Sequence, residues 1–148
     1  MRNLDGGILV QQENNDILKI DELKVVTNTK PTEDTIKSML FGWQVLKHVK
    51  SNAIITVKDN TTVGIGAGQV SRIDAVDIAI SKSKTAIKGS ILCSDAFFPF
   101  RDSIDKISQY SINGVIQPGG SIKDNEVIDA CNEHNIPMIF TGRRCFKH

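Results

Sequence analysis

Short runs of β-branched and aliphatic residues alternate along the chain with stretches in which apolar residues recur at helical spacing. The runs predict strands and the spaced stretches predict helices. The predicted strands are 8–10, 24–27, 53–57, 62–65, 91–93, 114–117 and 137–140, and the predicted helices begin near residues 32, 71, 102 and 121. Strands that alternate with helices favour an α/β fold in which part of the sheet is parallel.

Capping and turn residues mark the limits of several elements. Thr32 precedes two acidic residues, and Ser71 begins a pattern like a capping box, so each is expected to cap a helix. The first helix is expected to end near Val49. Residues 58–61 are few enough to join two strands as a hairpin, whereas the polar, lysine-rich segment 81–89 is expected to be solvated.

Composition and charge narrow the class of protein. The 148 residues suit one domain, and 40% hydrophobic with 24% charged residues is the balance of a globular chain. Eighteen basic against 17 acidic residues give a net charge of +1, without the basic excess of a general nucleic-acid binder. No apolar stretch is long enough for a membrane span or a signal peptide. We therefore expect a cytoplasmic protein that binds neither nucleic acid nor membrane.

The three cysteines, Cys93, Cys131 and Cys145, lie far apart in the sequence. They lack the paired Cys or His spacing of a structural zinc site. Unpaired thiols favour a reducing compartment. The sequence thus predicts no zinc, and its cysteines agree with a cytoplasmic location.

The segment Gly64-Ile65-Gly66-Ala67-Gly68 lies between a predicted strand and a predicted helix, where phosphate-binding loops occur. Its GxGxG spacing differs from the GxGxxG of dinucleotide sites, and no acidic residue follows on a strand near 85–90. A second interpretation is a glycine turn that lets two backbones approach each other. A third is that the turn places Arg72 at the helix start, facing a ligand.

The segment Ser94–Asp102 contains three of the six phenylalanines, Phe97, Phe98 and Phe100, beside charged residues. One interpretation is a loop whose aromatic side chains fill the core. The other is an apolar slot for a flat ring, with a carboxylate at its edge. Asp102 could then hydrogen-bond an amino-substituted heterocycle.

Two further segments each allow a chemical and a structural interpretation. The Pro-Gly-Gly-Ser segment at 118–121 offers backbone N–H groups ahead of a helix, but a strand-to-helix turn capped by Ser121 is the simpler account. The Lys47-His48 pair suggests acid–base chemistry. Neighbouring helical residues point about 100° apart, however, which favours a solvated helix end.

Five segments resemble one family, in sequence and in order. They are Lys50-Ser51-Asn52-Ala53-Ile54, the glycine segment through Arg72, Ser94–Asp102, Gln117–Ile122 and Arg144–His148. The family is the bifunctional purine-biosynthesis family that joins transformylase activity on AICAR (phosphoribosylaminoimidazolecarboxamide) to IMP cyclohydrolase. The resemblance covers nearly the whole chain and is to the C-terminal part of the family's sequence, the second transformylase subdomain.

The resemblance implies a three-layer α/β/α subdomain with a mixed sheet, of the cytidine-deaminase-like kind. Residues 1–148 would form a single domain, and the family's cyclohydrolase domain and first transformylase subdomain would be absent. The H-x-E and P-C-x-x-C signature of zinc deaminases does not occur in the sequence. Deaminase chemistry is therefore not expected.

The family's reaction is formyl transfer from 10-formyltetrahydrofolate, a co-substrate, to the amino group of AICAR during IMP biosynthesis. That amine is a weak nucleophile, so catalysis needs alignment of the two ligands and removal of a proton. The resemblance assigns to the AICAR site Asn52, Arg72, Phe97 and Arg144. It assigns to the folate Ile73, Pro99, Phe100, Asp102 and Ser121. Asn52 is also expected to assist catalysis.

One family feature is missing from the sequence. The proton-transferring Lys-His pair belongs to the first transformylase subdomain, before a Pro-x-Gly turn that does not follow Lys47-His48, so we interpret this pair as a chance match. The family's site forms across a dimer, which implies a homodimer or a pairing with the missing half. The resemblance also implies a monovalent cation, such as potassium, near Ser51 and Asp95. The alternatives are a non-catalytic nucleotide- or folate-binding module and a folded relic of the enzyme.

Overall fold

The structure, a computed structural model, describes all residues from 1 to 148. The strands are β1 (Arg2–Leu4), β2 (Gly7–Leu9), β3 (Lys24–Val25), β4 (Ile54–Lys58), β5 (Thr61–Gly66), β6 (Ile91–Ser94), β7 (Gly114–Gln117) and β8 (Met138–Phe140). The helices are α1 (Glu33–Leu46), α2 (Arg72–Ser83), α3 (Asp102–Ser108) and α4 (Asp124–Glu133), with 3₁₀ turns at Ile20–Glu22 and Lys84–Ile87. Every predicted strand and helix is present, and β1 is an addition. None of the helices combines the length and the apolar character that crossing a membrane requires.

Six strands form one mixed sheet in the order β3-β8-β7-β6-β4-β5. The strands β6, β7 and β8 run parallel to one another, and the other neighbours are antiparallel. The strands β1 and β2 form a separate hairpin. The expected hairpin of β4 and β5 and the expected parallel portion are both confirmed.

Alternate residues of the central strands face opposite sides of the sheet. On one side, Ile54, Leu92 and Val115 pack with apolar residues of α2, α3 and α4. On the other, Ile55 and Cys93 pack with Met39, Trp43 and Leu46 of α1. These side chains are buried on both faces, as is expected of strands between two helical layers. The predicted α/β/α arrangement with a mixed sheet is confirmed.

Two helix starts follow the predicted capping. The Thr32 hydroxyl accepts from the Thr35 N–H at 3.2 Å, and the Ser71 hydroxyl accepts from the Asp74 N–H at 3.2 Å. Helix α1 ends at Leu46 rather than near Val49. The reason is that the last residues change to three-residue spacing, with the Val49 N–H donating to the Leu46 carbonyl at 2.9 Å.

The expectation of a solvated segment at 81–89 is only half right. Helix α2 continues to Ser83 and is followed directly by the 3₁₀ turn at Lys84–Ile87. Ser83 and Ile87 are buried, and the Ser83 Oγ lies 2.6 Å from the Thr56 Oγ1 of β4. The lysines of the segment are exposed. The lysine-rich composition therefore gave no indication that Ser83 and Ile87, four residues apart, face inward.

The glycines of β5 allow that strand to lie directly against α2. A Cβ atom on Gly66 would overlap the backbone carbonyl of Ala75, and one on Gly64 would overlap that of Ala79. Of the three interpretations of the glycine segment, the close approach of two backbones is therefore confirmed. The same contact fixes the start of α2, which carries Arg72.

A surface network joins α3 to α4. The Arg101 Nε donates to the Asp105 Oδ2 at 2.9 Å, and the Arg101 Nη2 donates to the Glu133 Oε2 at 2.6 Å. The His134 Nε2 lies 3.0 Å from the Asp105 Oδ1. Hydrogen bonds from Arg101, and then from His134, lower the pKa of Asp105 to about 2. A hydrogen bond from Arg101 also lowers the pKa of Glu133.

This network predicts a loss of stability in acid. The folded-state pKa of Asp105 is depressed, so its contribution is present above pH 4 and is lost as the pH falls toward 2. Because solvent screens exposed pairs, we expect the contribution of Asp105 to be about 1 kcal/mol or less. Urea unfolding should show Asp105→Asn less stable than the unmodified chain at pH 6, with the gap closing at pH 2.5. The exposed Asp129→Asn is the control, and a gap that does not depend on pH would contradict the prediction.

Candidate functional site

A cleft of about 390 Å³ opens beside the ends of the strands β6 and β8. Parallel strands end at the same edge of a sheet, so the segments that follow them meet there. The start of β4 lies at the same edge because β4 is antiparallel to β6, with Ile54 opposite Ser94. The residues that line the cleft are Asn52, Val70, Ser71, Arg72, Ala96, Phe97, Pro99, Arg144 and Phe146.

Arg72 is the buried charged residue of the cleft lining. It is the first residue of α2 and is only 8% exposed. Its guanidinium forms a salt bridge with Asp95 and donates to the Ala53 carbonyl at 3.2 Å and to the Asn52 Oδ1 at 2.8 Å. Arg72 thus lies at the helix start, as the third interpretation of the glycine segment requires, and that it faces a ligand there stays a prediction.

Asn52 connects Arg72 to the turn that precedes α2. Its Nδ2 donates to the carbonyls of Gln69 and Val70, at 2.9 Å each. The peptide bond between Ser51 and Asn52 is cis. Since both ends of the Asn52 amide are hydrogen-bonded, this side chain is fixed at the wall of the cleft.

Asp95 lies beneath the cleft and is fully buried. One carboxylate oxygen faces Arg72, and the other accepts from the Ser51 hydroxyl at 2.5 Å. Its backbone carbonyl accepts from the Cys145 N–H at 3.1 Å. A buried carboxylate is tolerated when it is paired and fully hydrogen-bonded, which is the case here. Asp95 thus ties α2, the start of β4 and the segment after β8 together.

The two arginines after β8 have different surroundings. Arg143 pairs with Glu22 and with Asp16. Arg144 forms no salt bridge, and its guanidinium lies 5.0 Å from the ring centre of Phe97 and 5.8 Å from that of Phe146. These distances fit cation–π contacts. An arginine that has aromatic neighbours but no acidic partner remains available to an anionic ligand.

The structure brings together all four residues predicted for AICAR and one of those predicted for folate. Asn52, Arg72, Phe97 and Arg144 line the cleft, as does Pro99. Within Ser94–Asp102, Phe98 is fully buried in the core, as the first interpretation expects, whereas Phe97 faces the cleft. No carboxylate lines the cleft, so the slot with a carboxylate at its edge stays a prediction.

The other four predicted folate residues do not line the cleft. Ile73 is half-buried in the first turn of α2. Phe100 is 53% exposed and lies under the Lys123 ammonium, 5.1 Å from it. Asp102 is exposed and accepts from the Ser103 N–H at 2.7 Å. Ser121 accepts from the Lys123 N–H at 3.1 Å.

Two further segments follow their structural interpretations. The N–H groups of Gly120 and Ser121 donate to the carboxylate of Asp124, at 2.7 and 3.1 Å, so these two donors are already bound within the chain. Ser121 does not cap α4 as expected, because that helix begins three residues after it, at Asp124, with Lys123 in the cap position. Lys47 and His48 follow the end of α1 and do not line the cleft.

The sequence reasoning missed Phe146 and Val70 as lining residues and Asp95 as the partner of Arg72. Phe97 follows β6 and Phe146 follows β8, so the two residues are far apart in the sequence and no local pattern links them. A signal for Asp95 did exist, since an acidic residue directly after a buried strand stands at the edge where sites form.

Comparison with known proteins decides the family. The profile of the AICARFT/IMPCHase bienzyme family matches residues 1–82, more than half of the chain. The chain belongs to the AICARFT/IMPCHase bienzyme family. Relatives in this family include the bifunctional purine biosynthesis protein PurH of Persephonella marina, which is 52% identical over 99% of the chain. PurH of Aquifex aeolicus is 52% identical and that of Clostridium perfringens 54% identical, each over 100% of the chain.

The match to these PurH proteins is partial on their side. The chain spans 29% of the length of PurH from Persephonella marina and from Aquifex aeolicus. Among solved structures, RibD of Acinetobacter baumannii matches with a TM-score of 0.47 and 14% identity, over 73% of this chain and 34% of RibD. A second RibD structure gives a TM-score of 0.42.

Proposed function

We propose that the chain is the second transformylase subdomain of its family, the C-terminal part, and a component of AICAR formyltransferase in IMP biosynthesis. It would take part in formyl transfer from 10-formyltetrahydrofolate to the amine of AICAR. One observation carries the proposal: the four residues expected at AICAR come from four separate segments and line one cleft.

The chemistry of the cleft suits a planar, anionic nucleotide. Phe97 and Phe146 offer apolar faces to a flat ring. Arg144, which lacks an acidic partner, supplies positive charge for a phosphate or an amide-bearing ring. Asn52 is held by three hydrogen bonds, so it can orient the substrate without first losing conformational freedom.

Folate would bind at the rim that leads from Pro99 to α3. Phe100 leaves about half of its surface open there, and the carboxylate of Asp102 is exposed. Only one Asp102 oxygen accepts hydrogen bonds, both from Ser103, so the other remains for an amino group on the pterin ring. In this arrangement the formyl donor would lie next to the AICAR cleft.

The cleft contains no side chain that can remove the proton from the amine of AICAR. Its lining has no Lys, His, Asp, Glu or Cys residue. The proton-transferring group would therefore come from outside these 148 residues, for example from the family's first transformylase subdomain. The same absence favours the second candidate function, a non-catalytic nucleotide-binding module.

The predicted monovalent cation has little to bind among the side chains present. Both oxygens of Asp95 are occupied, one by Arg72 and one by Ser51. The charge of Asp95 is already balanced by Arg72. We therefore assign no step to a cation, and its presence stays a prediction.

A formyl-transfer assay tests the proposal. Release of tetrahydrofolate from 10-formyltetrahydrofolate in the presence of AICAR would be followed for the chain alone and with the first transformylase subdomain added. We expect turnover only in the mixture, and no loss of it in the Lys47→Ala, His48→Ala double variant. Turnover by the chain alone that this variant abolishes would show that the pair is catalytic after all.

Titration with AICAR separates the remaining possibilities. Arg144→Ala should weaken binding by about 1.5–3 kcal/mol, the range for hydrogen bonds to a charged group. Arg143→Ala is the matched control, because Arg143 pairs with Asp16 and Glu22 outside the cleft. Binding without turnover in the mixture would favour the binding module. Absence of binding under all conditions would favour a folded relic.

A further inference from the structure

The segment Arg144–His148, here called the tail, carries two cleft residues but belongs to no helix or strand. One edge of its backbone is bound to the body of the domain. The Cys145 N–H donates to the Asp95 carbonyl at 3.1 Å. The Lys147 carbonyl accepts from the Ser51 N–H at 2.8 Å, and the Lys147 N–H donates to the Ser51 hydroxyl at 3.0 Å.

The other edge of the tail is held by one side chain, Gln11. Its Nε2 donates to the Phe146 carbonyl at 2.6 Å, and its Oε1 accepts from the His148 N–H at 2.9 Å. A carbonyl and the N–H two residues later are the two groups that a neighbouring β-strand would bind. The side-chain amide of Gln11 thus makes the two hydrogen bonds to residues 146–148 that a neighbouring strand would make.

The tail is anchored to the core at Cys145, whose side chain is buried among apolar residues of α1 and β4. Beyond Cys145, the hydrogen bonds that hold its backbone come from Ser51 and Gln11 alone. The Arg144 guanidinium lies over the rings of Phe97 and Phe146. Displacing Phe146 would therefore remove one of the two rings that hold Arg144 at the cleft.

We propose that Gln11 is a positioning residue for the nucleotide cleft, acting through the tail on Arg144 and Phe146. Gln11 does not line the cleft and touches no ligand there. The inference rests on the proposed function for its ligand, AICAR. The hold on the tail can be measured without any ligand.

The first measurement is amide hydrogen exchange at His148, whose N–H is bound by Gln11. Gln11→Ala should speed this exchange about three- to tenfold, the effect of one lost neutral hydrogen bond. Gln12→Ala is the matched control, since Gln12 is exposed and forms no hydrogen bond with the tail. Unchanged exchange in Gln11→Ala would overturn the proposal.

The second measurement is a double-mutant cycle with AICAR as the probe. Gln11→Ala should weaken AICAR binding about three- to tenfold in the unmodified chain and by less in an Arg144→Ala background, where only the effect through Phe146 remains. An equal loss in both backgrounds would show a merely structural effect and would overturn the proposal. If the unmodified chain binds no AICAR while Gln11→Ala still speeds exchange at His148, the proposed function fails and the hold on the tail is supported.

Discussion

Replacing Asp95 with asparagine is expected to lower the free energy of unfolding by about 3–5 kcal/mol, the cost of leaving one member of a buried ion pair alone. Asp95 is fully buried and Arg72 is 8% exposed, so water cannot replace the lost carboxylate. The amide of asparagine can still accept one hydrogen bond but cannot balance the guanidinium charge. The loss should be accompanied by weaker AICAR binding, because Arg72 also holds Asn52.

Urea unfolding of the purified variants measures this effect. Asp74→Asn, an exposed carboxylate on the same helix as Arg72, is the control and should stay within about 0.5 kcal/mol of the unmodified chain. If Asp95→Asn fails to fold, the pair Arg72→Met with Asp95→Leu provides a second test. Since neither charge is then left alone, this double variant should be more stable than either single variant. A loss below 1 kcal/mol in Asp95→Asn would contradict the buried-pair account.

The second large effect is expected for Gly66→Ala, at about 3 kcal/mol of lost stability, the upper range for inserting atoms into a packed interior. The added methyl group would overlap the backbone carbonyl of Ala75, which is part of α2. Two backbones must then separate, and no flexible side chain is present to yield. Because α2 begins with Arg72, the displacement should also weaken AICAR binding.

Thermal or urea unfolding of Gly66→Ala and Gly7→Ala gives the comparison. Gly7 lies in β2, where an added Cβ atom meets nothing within 4 Å, so its variant should change stability by no more than about 0.5 kcal/mol. Similar stabilities for the two variants would mean that β5 and α2 are not packed as described. A loss of AICAR affinity without a loss of stability would point to movement of α2 alone.

Local sequence signals predicted the elements because those signals act within a few residues. Thr32 and Ser71 bond to N–H groups three residues ahead, so the sequence alone placed both caps. The inward-facing Ser83 was missed because its partner, Thr56, lies 27 residues away. The lysine-rich composition correctly predicted exposed lysines around Ser83, but it carried no information on the contact with Thr56.

The site was predicted through the family resemblance rather than through any local pattern. Spacing could suggest an aromatic slot in Ser94–Asp102, but it could not tell that Phe98 faces the core and Phe97 the cleft. Nor could it pair Asp95 with Arg72 or Gln11 with the tail, since these contacts depend on the order of strands in the sheet. The assignment of Ile73, Phe100, Asp102 and Ser121 to folate stays a prediction. These residues lie outside the cleft, so the lining of the cleft does not test it.

The lack of titratable acids and bases around the cleft has a consequence for kinetic analysis. Guanidinium groups stay charged at every pH at which a protein remains folded, and amide and aromatic side chains such as those of Asn52 and Phe97 carry no charge. The lining of the cleft is therefore a constant electrostatic background. A bell-shaped dependence of turnover on pH in a reconstituted enzyme would report on ionising groups outside this lining, with Asp102 as the one candidate that this chain offers at the proposed folate rim.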